Sequence, residues 1–155
     1  MFANCWHENM HESAALWDQY GRSGIAIRST IGRLKEAGHS DLPFHIGRVK
    51  YLDFERERPN MKELNALVSP FLKRKSFEHE REVRVLVWDF PNYQRGTEYT
   101  VQSQTIPVTL KILVEAVFLS PTCPEWFVAD MQELLRRFGL NVTVQRSNLY
   151  DPRVS

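Results

Sequence analysis

The sequence predicts an α+β fold, a single domain over residues 1–155 with a mixed, mostly antiparallel sheet packed with about four helices. Three observations predict it. Short apolar runs of strand character recur along the chain, most clearly at residues 82–88. Segments of helical period stand between some of them, the best at residues 124–138. Some strands follow one another closely enough to pair as hairpins, and others are separated by helices. A regular doubly wound sheet would not mix the two arrangements.

The elements follow in order. Residues 2–6 are short, apolar-rich and strand-like. Residues 12–20 switch to helical spacing, with Leu16, Trp17 and Tyr20 on one face, and Gly21 fits a left-handed residue past the helix end. Ile25, Ala26 and Ile27 form a second strand. Thr30 is an N-cap for a short helix carrying Ile31 and Leu34, which Gly38 ends. Residues 45–52 read as a third strand through Ile46, Val49 and Tyr51, with a slip in register. Asn60 and Glu63 form a reciprocal cap for a helix through Leu64, Leu67, Val68, Phe71 and Leu72, kinked or ended by Pro70.

In the strand at 82–88, Val83, Val85 and Val87 share one face, and Glu82, Arg84, Leu86 and Trp88 the other. Residues 91–97 are turn-rich, and 99–101 and 105–108 add strands, Pro107 marking an edge. Residues 114–119, apolar but for Glu115, read as a buried strand. Pro124 opens the strongest helix, with Phe127, Val128, Met131, Leu134, Leu135 and Phe138 on one face and Gly139 as its stop. Residues 141–145 supply the last strand, and no linker divides the chain.

Composition narrows the partners. The apolar share is 43% and the charged share 25%, near globular averages. Twenty basic and nineteen acidic residues give a net charge of +1, so there is no bulk signal for nucleic acid. No apolar stretch reaches the length of a membrane span. Cys5 and Cys123 form no C-x-x-C motif and follow no charged, apolar leader, which predicts a reduced cytoplasmic protein with two buried thiols.

His7-Glu8-Asn9-Met10-His11 matches the zincin pattern H-E-x-x-H. That chemistry needs a helix, so that both histidines bind zinc from one face. Here the motif follows a strand-like segment, and Ala14 and Trp17 stand where a metzincin needs glycine and a third histidine. No metal site is assigned. Cys5, His7, His11 and Glu12 nevertheless gather where a strand runs into a helix, a common place for functional groups. Trp17 and Tyr20 read as core. His7 reads equally as a buried hydrogen-bonding group or as a proton carrier.

A second polar cluster spans residues 73–84. In an extended segment Glu80, Glu82 and Arg84 project to one side. Two neighbouring carboxylates would repel and raise one pKa towards acid–base use, whereas Arg84 would oppose that shift. A solvated, salt-bridged strand face is the competing reading.

Phe2-x-Asn4-Cys5-Trp6-His7, then Glu12-Ser13-x-Ala15-x-Trp17-x-x-Tyr20 and Gly24-x-Ala26-Ile27-x-Ser29-Thr30, form an ordered set. Val49-Lys50-Tyr51-x-Asp53, Lys73-Arg74-Lys75-x-Phe77-Glu78-His79-Glu80-Arg81-Glu82-Val83-Arg84 and Ser120-Pro121-Thr122-x-Pro124-x-Trp126-Phe127 continue it. Together they resemble the bacterial domain-of-unknown-function family 2971 over nearly the whole chain. The resemblance implies a bacterial protein corresponding to the C-terminal part of that family, whose members carry a further segment like F-x-D-P-F-E upstream. It names no reaction and leaves the cofactor unknown.

Three readings of function follow. The first is a binding or regulatory module with a protein partner, using Trp6, Trp17, Trp88 and Trp126 as anchors. The second is an enzyme acting on a nucleotide-like substrate, loosely patterned like NAD-dependent ADP-ribosyltransferases. It would use His7 on an early strand, Ser29 and Thr30 after the next, and Glu80-x-Glu82 later, with Tyr20 stacking on a base. The third is a hydrolase or nuclease using His7, Glu12, Glu80 and Glu82, with or without a metal. The candidate site residues are therefore His7, Glu12, Tyr20, Glu80, Glu82 and Arg84.

Overall fold

The computed structural model describes residues 1–41, 43–57, 65–88 and 103–151. Its architecture is α+β with mostly antiparallel pairing, as the sequence predicts. The described chain gathers into two compact units, each built from separate stretches of sequence. The first comprises Met1–Met10 and Ser40–Thr105, and the second comprises His11–His39 and Ile106–Ser155.

The first unit contains strands β1 (Phe2–His7), β3 (Phe44–Arg48), β4 (Lys50–Leu52), β5 (Leu72–Arg74) and β6 (Glu82–Val87). β6 is the centre of a three-stranded antiparallel sheet with β1 and β3 on either side. Its valines are suited to that place, because β-branched side chains pack well on a pleated surface. Val83, Leu86 and Val87 are buried. The register sets His7 against Glu82 and Cys5 against Arg84 on β1, and Gly47 against Arg84 on β3. Side chains alternate, so all five of these residues belong to one face.

β4 and β5 form a separate parallel pair in which Tyr51 stands beside Lys73. The slip expected at 45–52 is a break at Val49. Its amide donates to the Glu82 carbonyl (2.9 Å) between the two short strands.

Two corrections belong to this unit. Residues 65–72 do not continue a helix. Asn65 accepts from the Leu67 and Val68 amides, a 3₁₀ turn covers Ser69–Phe71, and Leu72 begins β5. Pro70 sits in the first turn, where its missing N–H leaves no bond unmade. Glu80 is likewise outside the strand. It ends a 3₁₀ segment, Lys75–Glu80, and Arg81 follows in the left-handed conformation at φ 45°, ψ 52°. The expected start of a helix at 60–64, the loop at 91–97 and the strand at 99–101 lie outside the described residues.

In the second unit β7 (Ala116–Leu119) lies between antiparallel β2 (Ile25–Arg28) and parallel β8 (Thr143–Arg146). The helices here are α1 (Ala14–Tyr20), α2 (Ile31–Ala37), α3 (Leu110–Leu113) and α4 (Trp126–Arg137). Val114, Val117, Leu119, Cys123 and Met131 form the core, with Phe127, Val128, Leu135 and Val144 packed on it. Thr30 caps α2 by accepting from the Arg33 amide (3.2 Å), and Gly139 takes φ 68° beyond α4, as expected.

Other details differ from expectation. Gly21 has φ −142°, so left-handed geometry is not its reason; a Cβ there would stand 2.8 Å from the Trp17 ring. Tyr20 is exposed rather than core, because α1 turns only Trp17 fully inward. Leu134 and Phe138 are also exposed, since the buried stripe of α4 is narrower than the apolar one. Val108 makes a single bridge to Gly38, not a strand.

Gly47 has no room for a side chain. A Cβ there would lie 2.8 Å from the Phe71 ring. Gly47→Ala should therefore destabilise by about 1–3 kcal/mol in urea unfolding, the usual range for overpacking. Gly32→Ala in α2 would make only an ordinary contact, 3.8 Å to the Thr30 hydroxyl, and should stabilise by about 0.5 kcal/mol.

Candidate functional site

The face of β6 that carries Glu82 and Arg84 is where the first unit buries charge. Glu80 is 1% exposed and Glu82 6%. A buried carboxylate is tolerated only when cations and hydrogen bonds replace its water. Here they do. The Lys73 ammonium contacts Glu80 Oε2 and lies 3.4 Å from Glu82 Oε1. Arg84 donates to Glu82 Oε2 from Nε (3.0 Å) and Nη2 (2.6 Å), and from Nη1 to the Pro70 carbonyl. The four charges cancel. Lys73 also lies over the Phe77 ring, 4.7 Å from its centroid.

Backbone contacts complete the arrangement. The Glu82 amide donates to the Tyr51 hydroxyl (2.8 Å). His7 Nδ1 is 2.8 Å from the Glu80 carbonyl, so the ring nitrogen carries the proton and donates. The Glu8 amide donates to the Arg81 carbonyl (2.9 Å), and the Glu8 carboxylate takes two hydrogen bonds from Arg48 at the exposed rim. Arg81 explains how Glu80 and Glu82 converge. Its left-handed backbone turns the 3₁₀ segment into β6, so both carboxylates reach Lys73 without Glu80 being part of the strand. That conformation is uncommon without glycine, and the surrounding contacts hold it in place.

The electrostatics settle which of the opposed effects on Glu82 wins. Burial is the largest single influence and pushes its pKa up, but Arg84 and Lys73 together outweigh it and hold the carboxyl below its ordinary value. Burial also pulls Lys73 down, and its two glutamates more than compensate, leaving it raised. Cys5 is exposed as a residue, but partial desolvation of its thiol is the first cause that pushes it up, then Glu82, against the opposing Arg84. Burial likewise raises Tyr51. The expected carboxyl of elevated pKa is thus not found at Glu82.

Of the six candidate residues, His7, Glu80, Glu82 and Arg84 come together here. Glu12 and Tyr20 belong to the second unit. Glu12 accepts from the Trp17 indole (2.8 Å), and Tyr20, 59% exposed, accepts from Gln19 (3.1 Å). Lys73, Tyr51 and the Pro70 carbonyl were missed as site groups. Lys73 and Tyr51 stand in the motifs quoted above, but only the parallel β4–β5 pair reveals that they are neighbours. Cys5 is exposed and Cys123 buried, so the expectation of two buried thiols holds for Cys123 alone.

His7 ends β1 and His11 lies beyond it in a bend, so the H-E-x-x-H residues share no helix face. Among the described residues no group of three or more histidine, cysteine, aspartate or glutamate side chains is placed to hold a metal. The ammonium of Lys73 already stands between the two carboxylates. No helix among the described residues is long and apolar enough to cross a membrane. Comparison with protein-family models, with curated proteins and with solved structures finds no match to this chain.

The pKa directions give a sign for stability. Glu82 is lowered on folding, so its contribution is present above the unfolded value of about 4.3 and is lost as pH falls through the folded one. Lys73 is raised, so its contribution is present below about 10.4 and is lost as pH rises through the folded value. Urea midpoints should be flat between these limits and fall beyond them. Glu82→Gln should flatten the acid limb and cost about 2–4 kcal/mol at neutral pH, because it leaves partly buried Arg84 without a carboxylate and Lys73 with Glu80 alone. In the same variant the pH profile of Cys5 alkylation should move to lower pH, since a charge that raises the thiol is gone.

Proposed function

We propose that this chain is a binding or regulatory module with a protein partner, and that it works in the reduced cytoplasm. The observation that carries the reading is the state of Glu82. Each of its oxygens accepts from a cation, Oε1 from Lys73 and Oε2 from Arg84. A carboxylate so engaged, and lowered in pKa, is a poor general acid and a poor base at neutral pH. The Cys5 thiol, raised in pKa, is equally unsuited to nucleophilic work. The free thiols Cys5 and Cys123 support the reducing setting. Of the four tryptophans considered as anchors, Trp126 is 65% exposed, whereas Trp17 is buried and engaged with Glu12.

A second reading, an enzyme acting on a nucleotide-like substrate, has one observation in its favour. His7 and Glu82 are register partners on neighbouring strands, the juxtaposition that an ADP-ribosyltransferase-like site would require. It would also require Glu82 to leave Lys73 or Arg84.

Calorimetric titration of the full chain with NAD should give no binding heat. Affinity capture from the native host should recover a partner that Trp126→Ala loses. NAD binding abolished by Glu82→Gln would replace this reading with the nucleotide one. Capture of no partner in any growth condition would remove it.

A further inference from the structure

Residues 69–80 are attached to the first unit in an unusual way. They run through the 3₁₀ turn Ser69–Phe71, then β5, then the 3₁₀ segment Lys75–Glu80. Arg74 and residues 75–79 are exposed, while Phe71, Leu72 and Lys73 are half-buried. The one fully buried residue of the segment is Glu80, a charged one. Most polypeptide layers are held on a sheet by apolar side chains, as α4 is held on its sheet by Phe127, Met131 and Leu135.

The ties to the sheet are instead polar. Lys73 reaches Glu82, Arg84 reaches the Pro70 carbonyl, and His7 reaches the Glu80 carbonyl. Phe71, which rests on Gly47, adds an apolar tie, and Leu72 beside it is half-buried. β5 is joined edge to edge with the short β4, which is outside the three-stranded sheet. The left-handed Arg81 marks the point where the segment turns into β6.

We infer that residues 69–80 are a strap, closed over the Cys5–His7 face of the β1–β6–β3 sheet by charge and able to open as a unit while the sheet stays folded. Local opening of this kind belongs to elements with few buried apolar contacts. The groups facing Glu82 at the closure are Lys73 and Glu80 from the strap, Tyr51 from β4, Cys5 and His7 from β1, and Arg84 from its own strand. Opening would separate Lys73 from Glu82 and the Pro70 carbonyl from Arg84, leaving the Glu82–Arg84 pair on the sheet.

Hydrogen exchange of the full chain, read by mass spectrometry at low urea concentrations, tests the strap. In the wild type, amides of residues 72–80 should exchange through an opening with a weaker urea dependence than amides of residues 83–87. Lys73→Met should speed the first set by about tenfold or more and leave the second within about twofold. Equal protection and equal urea dependence in both sets would mean that the segment opens only by global unfolding, and the inference would be wrong. An unchanged first set in a folded Lys73→Met protein would overturn it too. Should that variant not fold, the wild-type comparison still decides.

Discussion

The contact on which the first unit depends is the pairing of Glu82 with Arg84, extended by Lys73 to Glu80. Glu82 is the first residue of the central strand, and its carboxylate is almost wholly removed from water. Taking a charge out of water costs several kcal/mol even in a relaxed protein site. Two cations offset that cost here, and each is itself bound elsewhere, Arg84 to the Pro70 carbonyl and Lys73 to Glu80. The quartet therefore fixes more than a pair of side chains. It sets where the chain at 69–80 lies against the sheet.

Both units bury apolar side chains, but the first adds a buried polar face. Around α4 the second unit uses apolar burial, which is non-directional and tolerant of small displacements. The polar face of the first unit uses oriented contacts, which give a specific arrangement and little net stability. A site of that kind is sensitive to the loss of any one member, because the remaining charges are left buried without partners. The same cations that make Glu82 tolerable in the interior also hold its carboxyl below the ordinary pKa.

How much of this was legible in the sequence depends on the range of the contacts. The strands at β1, β6 and β7 and the helix α4 follow from local periodicity and stand close to where the pattern puts them, β7 starting two residues late because Val114 caps α3. Glu80, Glu82 and Arg84 were marked by charge spacing alone. Glu82 and Arg84 share a face of the extended strand as expected, but Glu80 joins them for another reason, since it lies outside the strand and a left-handed Arg81 brings it in. No propensity argument points to a positive φ at an arginine. Lys73 and Tyr51 were invisible as partners because a two-stranded parallel pair leaves almost no local signature. The reading of 65–72 as helix failed where Asn65 and Pro70 favour tight turns over a continuous helix. Tyr20 failed differently: helical spacing identifies a face, but the depth to which that face is covered is set by the rest of the fold.

The most direct test is a double-mutant cycle in urea with Glu82→Gln, Arg84→Met and the combined variant. A coupling energy above about 1 kcal/mol is expected, larger than exposed ion pairs deliver. Additive effects, with a coupling near zero, would mean that the two side chains are neighbours without dependence, and the polar face would need another explanation for its order.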